Sequence, residues 1–142
     1  MIVLDAYALV AVALEEPAAG EVDELLREGD CAVTTTNLAE LVDQLVRRVG
    51  IDADVVTERI EALLDGPITV RVLDRERAVR AGLLRARHYQ PKTAELSLAD
   101  CVVLASLDEG DVVATADPPL ARITRELGFD VIALADSRGR RP

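Results

Sequence analysis

The sequence predicts an α/β fold, a three-layer α/β/α sandwich in which a central, mainly parallel sheet is covered by helices on both faces. Short aliphatic runs alternate with longer helical stretches along the chain, the pattern of βα units. Aromatic residues are limited to Tyr7, Tyr89 and Phe129. The core must therefore be built from Ala, Val, Leu and Ile, which suits strands buried on both sides. At 142 residues one domain suffices, burying roughly two thirds of the surface its unfolded chain exposes.

Taken in order, Ile2-Val3-Leu4 reads as a buried strand, followed by a helix from Ala6 to Leu14 that halts near Pro17. A second helical stretch runs from Ala18 to Arg27 with Gly29 as its stop, because glycine tolerates the conformation that ends a helix. Cys31 to Thr34 is strand-like. A helix from Leu38 to Val49 stops at Gly50, and an amphipathic helix from Ile51 to Leu64 ends at Gly66-Pro67. A strand (Ile68 to Leu73), a helix (Arg75 to His88) and a polar loop around Gln90-Pro91-Lys92 follow. The last elements are a helix (Leu98 to Leu107), a strand (Val112 to Ala114), a helix (Pro118 to Leu127) and a strand (Val131 to Ala133). The expected organisation is a single domain over residues 1–135, with 136–142 a flexible basic tail.

The formal net charge is −10, and it is unevenly spread. Residues 1–70 hold 15 acids and 4 bases, whereas residues 71–142 hold 11 acids and 12 bases. An acidic total argues against broad, non-specific nucleic-acid binding but leaves room for a local basic rim. The apolar start lacks a basic leader region and contains Asp5, which argues against a secretory or membrane-spanning segment; the expectation is a cytoplasmic protein. Cys31 and Cys101 stand far apart with no CxxC and no companion histidines, so they read as buried free thiols.

Asp5 is the anomaly of that apolar start, since a buried, unpaired carboxylate costs several kcal/mol (order of magnitude) unless something compensates it. Three more acids stand at helix starts. Asn37-Leu-Ala-Glu40 and Ser97-Leu-Ala-Asp100 have the spacing of a capping box, and Asp117 precedes Pro118-Pro119 as an N-cap would. Capping explains each acid singly. Jointly, Asp5 and Asp117 fall at the carboxyl ends of strands, with Glu40 and Asp100 on helices entering from the same edge, where open parallel sheets form ligand crevices. Four carboxylates gathered there repel one another, and a hard cation with oxygen ligands, Mg²⁺ or Mn²⁺, is the simplest compensation.

Other chemistries lack residues. His88 is the only histidine, which excludes a two-histidine acid/base mechanism and leaves little support for a Ser-His-Asp triad; His88 itself suits a capping or surface role. Neither GxxxxGK[ST] nor GxGxxG occurs. What remains is attack of cation-activated water on a phosphodiester.

The segments IVLDAYALVA, TTTNLAEL and LSLADCVVLASLDEGDVVATADPPLA, in that order over nearly the whole chain, resemble the PIN-domain family of ribonucleases, in particular the VapC toxins of toxin–antitoxin pairs. The resemblance implies an acidic site of Asp5, Glu40, Asp100 and Asp117. Asp5 and Asp100 would be direct ligands of Mg²⁺ or Mn²⁺, and Glu40 and Asp117 would complete the site. It implies endonucleolytic cleavage of RNA that leaves a 3′-hydroxyl and a 5′-phosphate. Thr115 matches a frequent hydroxyl position of the family. Tyr7 departs from the usual small hydroxyl residue, and Pro118-Pro119 from the usual basic residue. The implied partners are RNA, a second copy of the chain, and a VapB-like antitoxin whose C-terminal segment crosses the groove.

Grip on RNA would come from Arg71, Arg75, Arg77, Arg80, Arg85, Arg87 and Lys92, a stretch that equally reads as a solvated helix face. Leu41, Leu45 and Val49 are candidates to line the antitoxin cleft. Two alternatives stand beside the nuclease. One is a PIN-like module that binds RNA or protein without cleaving. The other is a Mg²⁺-dependent phosphatase of the haloacid-dehalogenase type, which wants a second aspartate two positions after the first, where this chain has Tyr7.

Overall fold

The computed structural model describes residues 1–66, 68–90 and 95–142; Pro67, Pro91 and Lys92, at which the sequence places a helix stop, a loop and a basic contact, lie outside them. Five strands form one parallel sheet: β1 (Ile2–Leu4), β2 (Cys31–Thr34), β3 (Ile68–Arg71), β4 (Val112–Thr115) and β5 (Asp130–Ala133), in spatial order β3-β2-β1-β4-β5. The chain steps outward from β1 to β3 and then crosses to β4 on the other side of β1. The order therefore reverses between β1 and β4, where doubly wound sheets open a crevice at their carboxyl ends. The expected α/β/α fold is the one observed.

Side chains alternate across each strand, so each contributes to two cores. Leu4, Val33 and Ala114 face a layer made by α1 (Ala6–Ala13), α2 (Ala19–Glu28), α3 (Thr35–Asp43) and α4 (Ala53–Leu64). Val3, Ala32 and Val113 face the layer of α5 (Arg75–His88), α6 (Leu98–Ala105) and α7 (Pro118–Glu126). Both thiols are free and buried.

The helix expected from Leu38 begins earlier. Thr34, the last residue of β2, turns its hydroxyl onto the Asn37 N–H (3.2 Å), so α3 starts at Thr35 and Asn37 is inside it rather than capping it. After Asp43 the same helix widens into a π-helical segment, Gln44–Val49, which ends at Gly50 in the left-handed conformation (φ +84°) that glycine adopts without strain. The following helix starts at Ala53 rather than Ile51, because the Asp52 carboxylate takes up the Asp54 N–H (2.9 Å). At the other end of the chain, Asp136 accepts from the backbone of Arg138 and Arg140, and Arg141 reaches Glu21 at 2.9 Å. No helix among the described residues is long and apolar enough to cross a membrane.

Candidate active site

The four acids reach the switch crevice by different local devices. Asp5 leaves β1 and caps α1, its Oδ1 accepting the Ala8 N–H at 2.8 Å. Asp117 leaves β4 and caps α7, its Oδ1 accepting the Leu120 N–H at 2.8 Å, with Pro118 and Pro119 in the first turn where no amide hydrogen is needed. Asp100 forms the full capping box with Ser97: Oδ2 accepts the Ser97 N–H at 2.8 Å, and the Ser97 hydroxyl accepts the Asp100 N–H at 3.0 Å. Glu40 does not form the corresponding box. The earlier start of α3 moves it to the second helical turn, where its side chain meets Gln44 instead.

Thr115 ties the crevice together. Completely buried, it donates its hydroxyl hydrogen to Asp5 Oδ2 and accepts the Asp117 N–H at 2.9 Å. One threonine thus fixes the carboxylate at the end of β1 relative to the backbone at the end of β4.

The charge of Asp100 acts on Asp5, Glu40 and Asp117 alike. Burial pushes the Asp5 carboxyl up to about 7, and the charges of Asp100 and Asp117 push the same way, against hydrogen bonds from Thr115 and Ala8. Burial, with the charge of Asp100, also raises Glu40 and Asp117. Asp5 is only 4% exposed. None of the four acids has an ion-pair partner among the described residues.

A concentrated negative field of oxygen donors, with no histidine or thiolate, matches a hard cation in charge and chemistry. Asp100 Oδ1 and Asp117 Oδ2 accept no hydrogen bond among the described residues, so each has an oxygen to offer. Among those residues, however, no three His, Cys, Asp or Glu side chains stand in an arrangement that already encloses an ion.

The arginines of the basic stretch do not act together. Arg71, the last residue of β3, is buried: its guanidinium grips Asp111, which precedes β4, and so belongs to the core. Arg77 donates to Val72 O, and Arg85 donates to Leu96 O at 3.3 Å with its guanidinium 4.6 Å from the Tyr89 ring centre. Arg75, Arg80 and Arg87 are exposed. His88 is the last residue of α5, with Nδ1 4.0 Å from Glu126.

Two clefts flank α1. One, about 360 Å³, is lined by Leu9, Leu41, Leu45, Ile60 and Leu63 and carries Arg59 at its wall. The other, about 340 Å³, holds Tyr7, Glu16, Gln44, Arg48 and Ser137. Leu41 and Leu45 thus share the apolar cleft, whereas Val49 lines the polar one. The roles of Glu16, Gln44 and Arg48 were not read from the sequence, although Gln44 and Arg48 follow Glu40 at the four-residue spacing of one helix face.

Residues 2–126 match the PIN domain. The chain belongs to the PIN domain family. Solved structures with the same fold include the Mycobacterium tuberculosis toxin VapC20, described as cleaving the sarcin-ricin loop (TM-score 0.70, 20% identity, covering 91% of this chain and 96% of that one). Others are a toxin–antitoxin complex from Klebsiella pneumoniae (0.64, 14%, 93% and 96%) and DNA-bound VapBC from Salmonella typhimurium (0.64, 17%, 92% and 96%). No curated protein matches the chain. Within this PIN domain the arginine-bearing α5 packs on α6.

Proposed function

We propose that this PIN domain is a divalent-metal-dependent endoribonuclease acting in the cytoplasm as the toxin of a VapBC-type pair. The observation that carries the reading is Asp5: buried, without a cationic partner among the described residues, and in the combined field of Asp100 and Asp117. Asp5 and Asp100, with Glu40 and Asp117, would hold Mg²⁺ or Mn²⁺. A cation bound there lowers the pKa of water and screens charge on the attacked phosphorus. The chain's own part is positional. Thr115 and the Ala8 N–H hold Asp5, Ser97 holds Asp100, and the first turn of α7 holds Asp117. Water attacking in line needs no 2′-hydroxyl, so the expected ends are a 5′-phosphate and a 3′-hydroxyl.

The test is a cleavage assay on total RNA with Mg²⁺, Mn²⁺ or EDTA, comparing the intact chain with Asp100→Ala. Cleavage that EDTA stops and Asp100→Ala lacks supports the reading. Equal degradation by both proteins overturns it. The second reading is a PIN-like binding module that does not cleave. RNA binding without cleavage under any metal is the result expected of that module.

The partners proposed with this function are RNA, an antitoxin and a second copy of the chain. The apolar cleft of Leu9, Leu41, Leu45, Ile60 and Leu63 suits the apolar face of an antitoxin helix, with Arg59 offered to an acidic residue. For the homodimer, α5 exposes Val79 and Leu83 at 60% and 66%. In an antiparallel two-fold pairing about those residues, Glu76 of one copy meets Arg87 of the other. Light scattering is expected to give a dimer for the wild type and a monomer for Leu83→Glu. A monomeric wild type removes the dimer from the proposal.

A further inference from the structure

The polar cleft beside α1 has the makings of a nucleotide site. Tyr7 lies two residues after Asp5, close enough that the Asp5 charge acts on its phenol. Gln44, on the opposite wall, hydrogen-bonds Glu40. The cleft therefore adjoins the acidic crevice through two separate elements. Its volume, about 340 Å³, lies within the roughly 300–1,000 Å³ typical of ligand pockets, and its polar lining, unlike the apolar cleft on the other side of α1, suits a nucleotide unit.

Its walls offer complementary groups. The π-helical segment keeps Gln44 and Arg48 on the face that carries Glu40, so Arg48 stands in the cleft. Its neighbour Arg47 is engaged by Asp43 through two hydrogen bonds (2.7 and 2.6 Å), whereas Arg48 makes no hydrogen bond or ion pair among the described residues. Opposite, the Tyr7 hydroxyl donates to Glu16 Oε2 at 2.9 Å, with Ala135 O at 3.0 Å, which fixes the ring and leaves Glu16 Oε1 without a hydrogen bond among the described residues.

We propose that this cleft binds the nucleotide next to the scissile phosphate, Arg48 holding its phosphate and Glu16, oriented by Tyr7, accepting an N–H donor from its base. The proposal rests on the ribonuclease reading and adds to it a specificity site. A phosphate calls for a guanidinium with free donors, and a carboxylate discriminates bases that present N–H groups from those that present acceptors. A surface arginine without this role, such as Arg47 held by Asp43, would shift affinity only through general charge.

The probes are fluorescein-labelled 12-nucleotide RNAs randomised one position at a time, bound in Mg²⁺ by Asp5→Asn chains and cleaved by chains with Asp5 intact. Arg48→Ala is expected to raise Kd and KM about tenfold with kcat little changed, Arg47→Ala to change neither by more than about twofold, and Glu16→Gln to shift the preferred base at one position beside the cut. Glu16→Gln keeps an acceptor for Tyr7, and thermal melts establish that each variant is folded. If Arg48→Ala behaves as Arg47→Ala does and Glu16→Gln leaves every preference unchanged, the cleft is not the site. A chain that binds these RNAs in an Arg48-dependent way but never cuts them keeps the cleft and overturns the nuclease. One that cuts them with no dependence on Arg48 or Glu16 does the reverse.

Discussion

The Asp5→Asn chain is expected to be more stable than the wild type at pH 8 in EDTA by roughly 2–4 kcal/mol, and to lose about 10²-fold or more of any RNA cleavage. The stability change follows from linkage. Burial raises the Asp5 carboxyl to about 7 in the fold, whereas in the unfolded chain it titrates at about 3.9. Between those values the folded state holds a proton that the unfolded state has released, so this group's contribution to stability falls as pH rises from about 4 to about 7 and is flat beyond. The direction is opposite to that of a carboxylate held by a base.

Asparagine removes the titration and keeps the geometry. It caps a helix as well as aspartate does, so the Ala8 N–H retains its acceptor. The Thr115 hydroxyl, which can accept as well as donate, loses only the carboxylate it now donates to. Urea unfolding of both chains in EDTA at pH 4 and pH 8 checks this: the curves should nearly coincide at pH 4 and separate at pH 8. Mg²⁺ should then raise the wild-type midpoint at pH 8 and leave the variant's in place. A variant less stable than the wild type at pH 8 would mean that the carboxylate is not penalised by its surroundings.

Much of this site is legible in the sequence because it depends on local signals. Strand ends, caps and prolines are short-range, so Asp5, Asp117 and the Ser97-Asp100 box stand where their neighbours dictate. Glu40 is less legible, because its place depends on where α3 begins. The sequence ends the strand at Thr34 and starts the helix at Leu38, yet Thr34 caps the helix and carries Thr35 and Thr36 into it, so Glu40 turns toward Gln44 instead of back onto Asn37. The π-helical segment had no local signal, since its residues read as ordinary helix; within it Arg47 is engaged by Asp43 and Arg48 lines the cleft. The fate of Arg71 was least legible. It sits among exposed arginines in sequence, and only the fold, which brings Ser106 O and Asp111 to the end of β3, reveals its partner forty positions away.

That partner makes Arg71→Met the most destabilising core substitution expected here, at about 3–5 kcal/mol. The guanidinium faces Asp111 with two nitrogens, one of them 3.1 Å from Oδ1, and also donates to Ser106 O at the carboxyl end of α6, where a cation is favoured by the helix dipole. Burial pushes the Asp111 carboxyl up. The Arg71 bonds, the Asp108 N–H and the Met1 amino group nevertheless hold it below the ordinary carboxylate range. Its stabilisation is thus complete above the unfolded pKa of about 3.9 and is lost as pH falls through the lower folded value. Removing the guanidinium leaves a carboxylate only 5% exposed with the Met1 amino group and the Asp108 N–H as its remaining partners. Arg71→Met paired with Asp111→Leu should recover most of the loss, because the desolvation cost of both ions disappears together. Cleavage per folded molecule should be unchanged in the single variant, since Arg71 is engaged by Asp111 and Ser106 O and makes no hydrogen bond or ion pair with any of the four acids. Urea midpoints and kcat/KM measured on the same preparations separate the two roles: reduced cleavage at full foldedness would return Arg71 to the RNA surface, and reduced stability alone keeps it in the core.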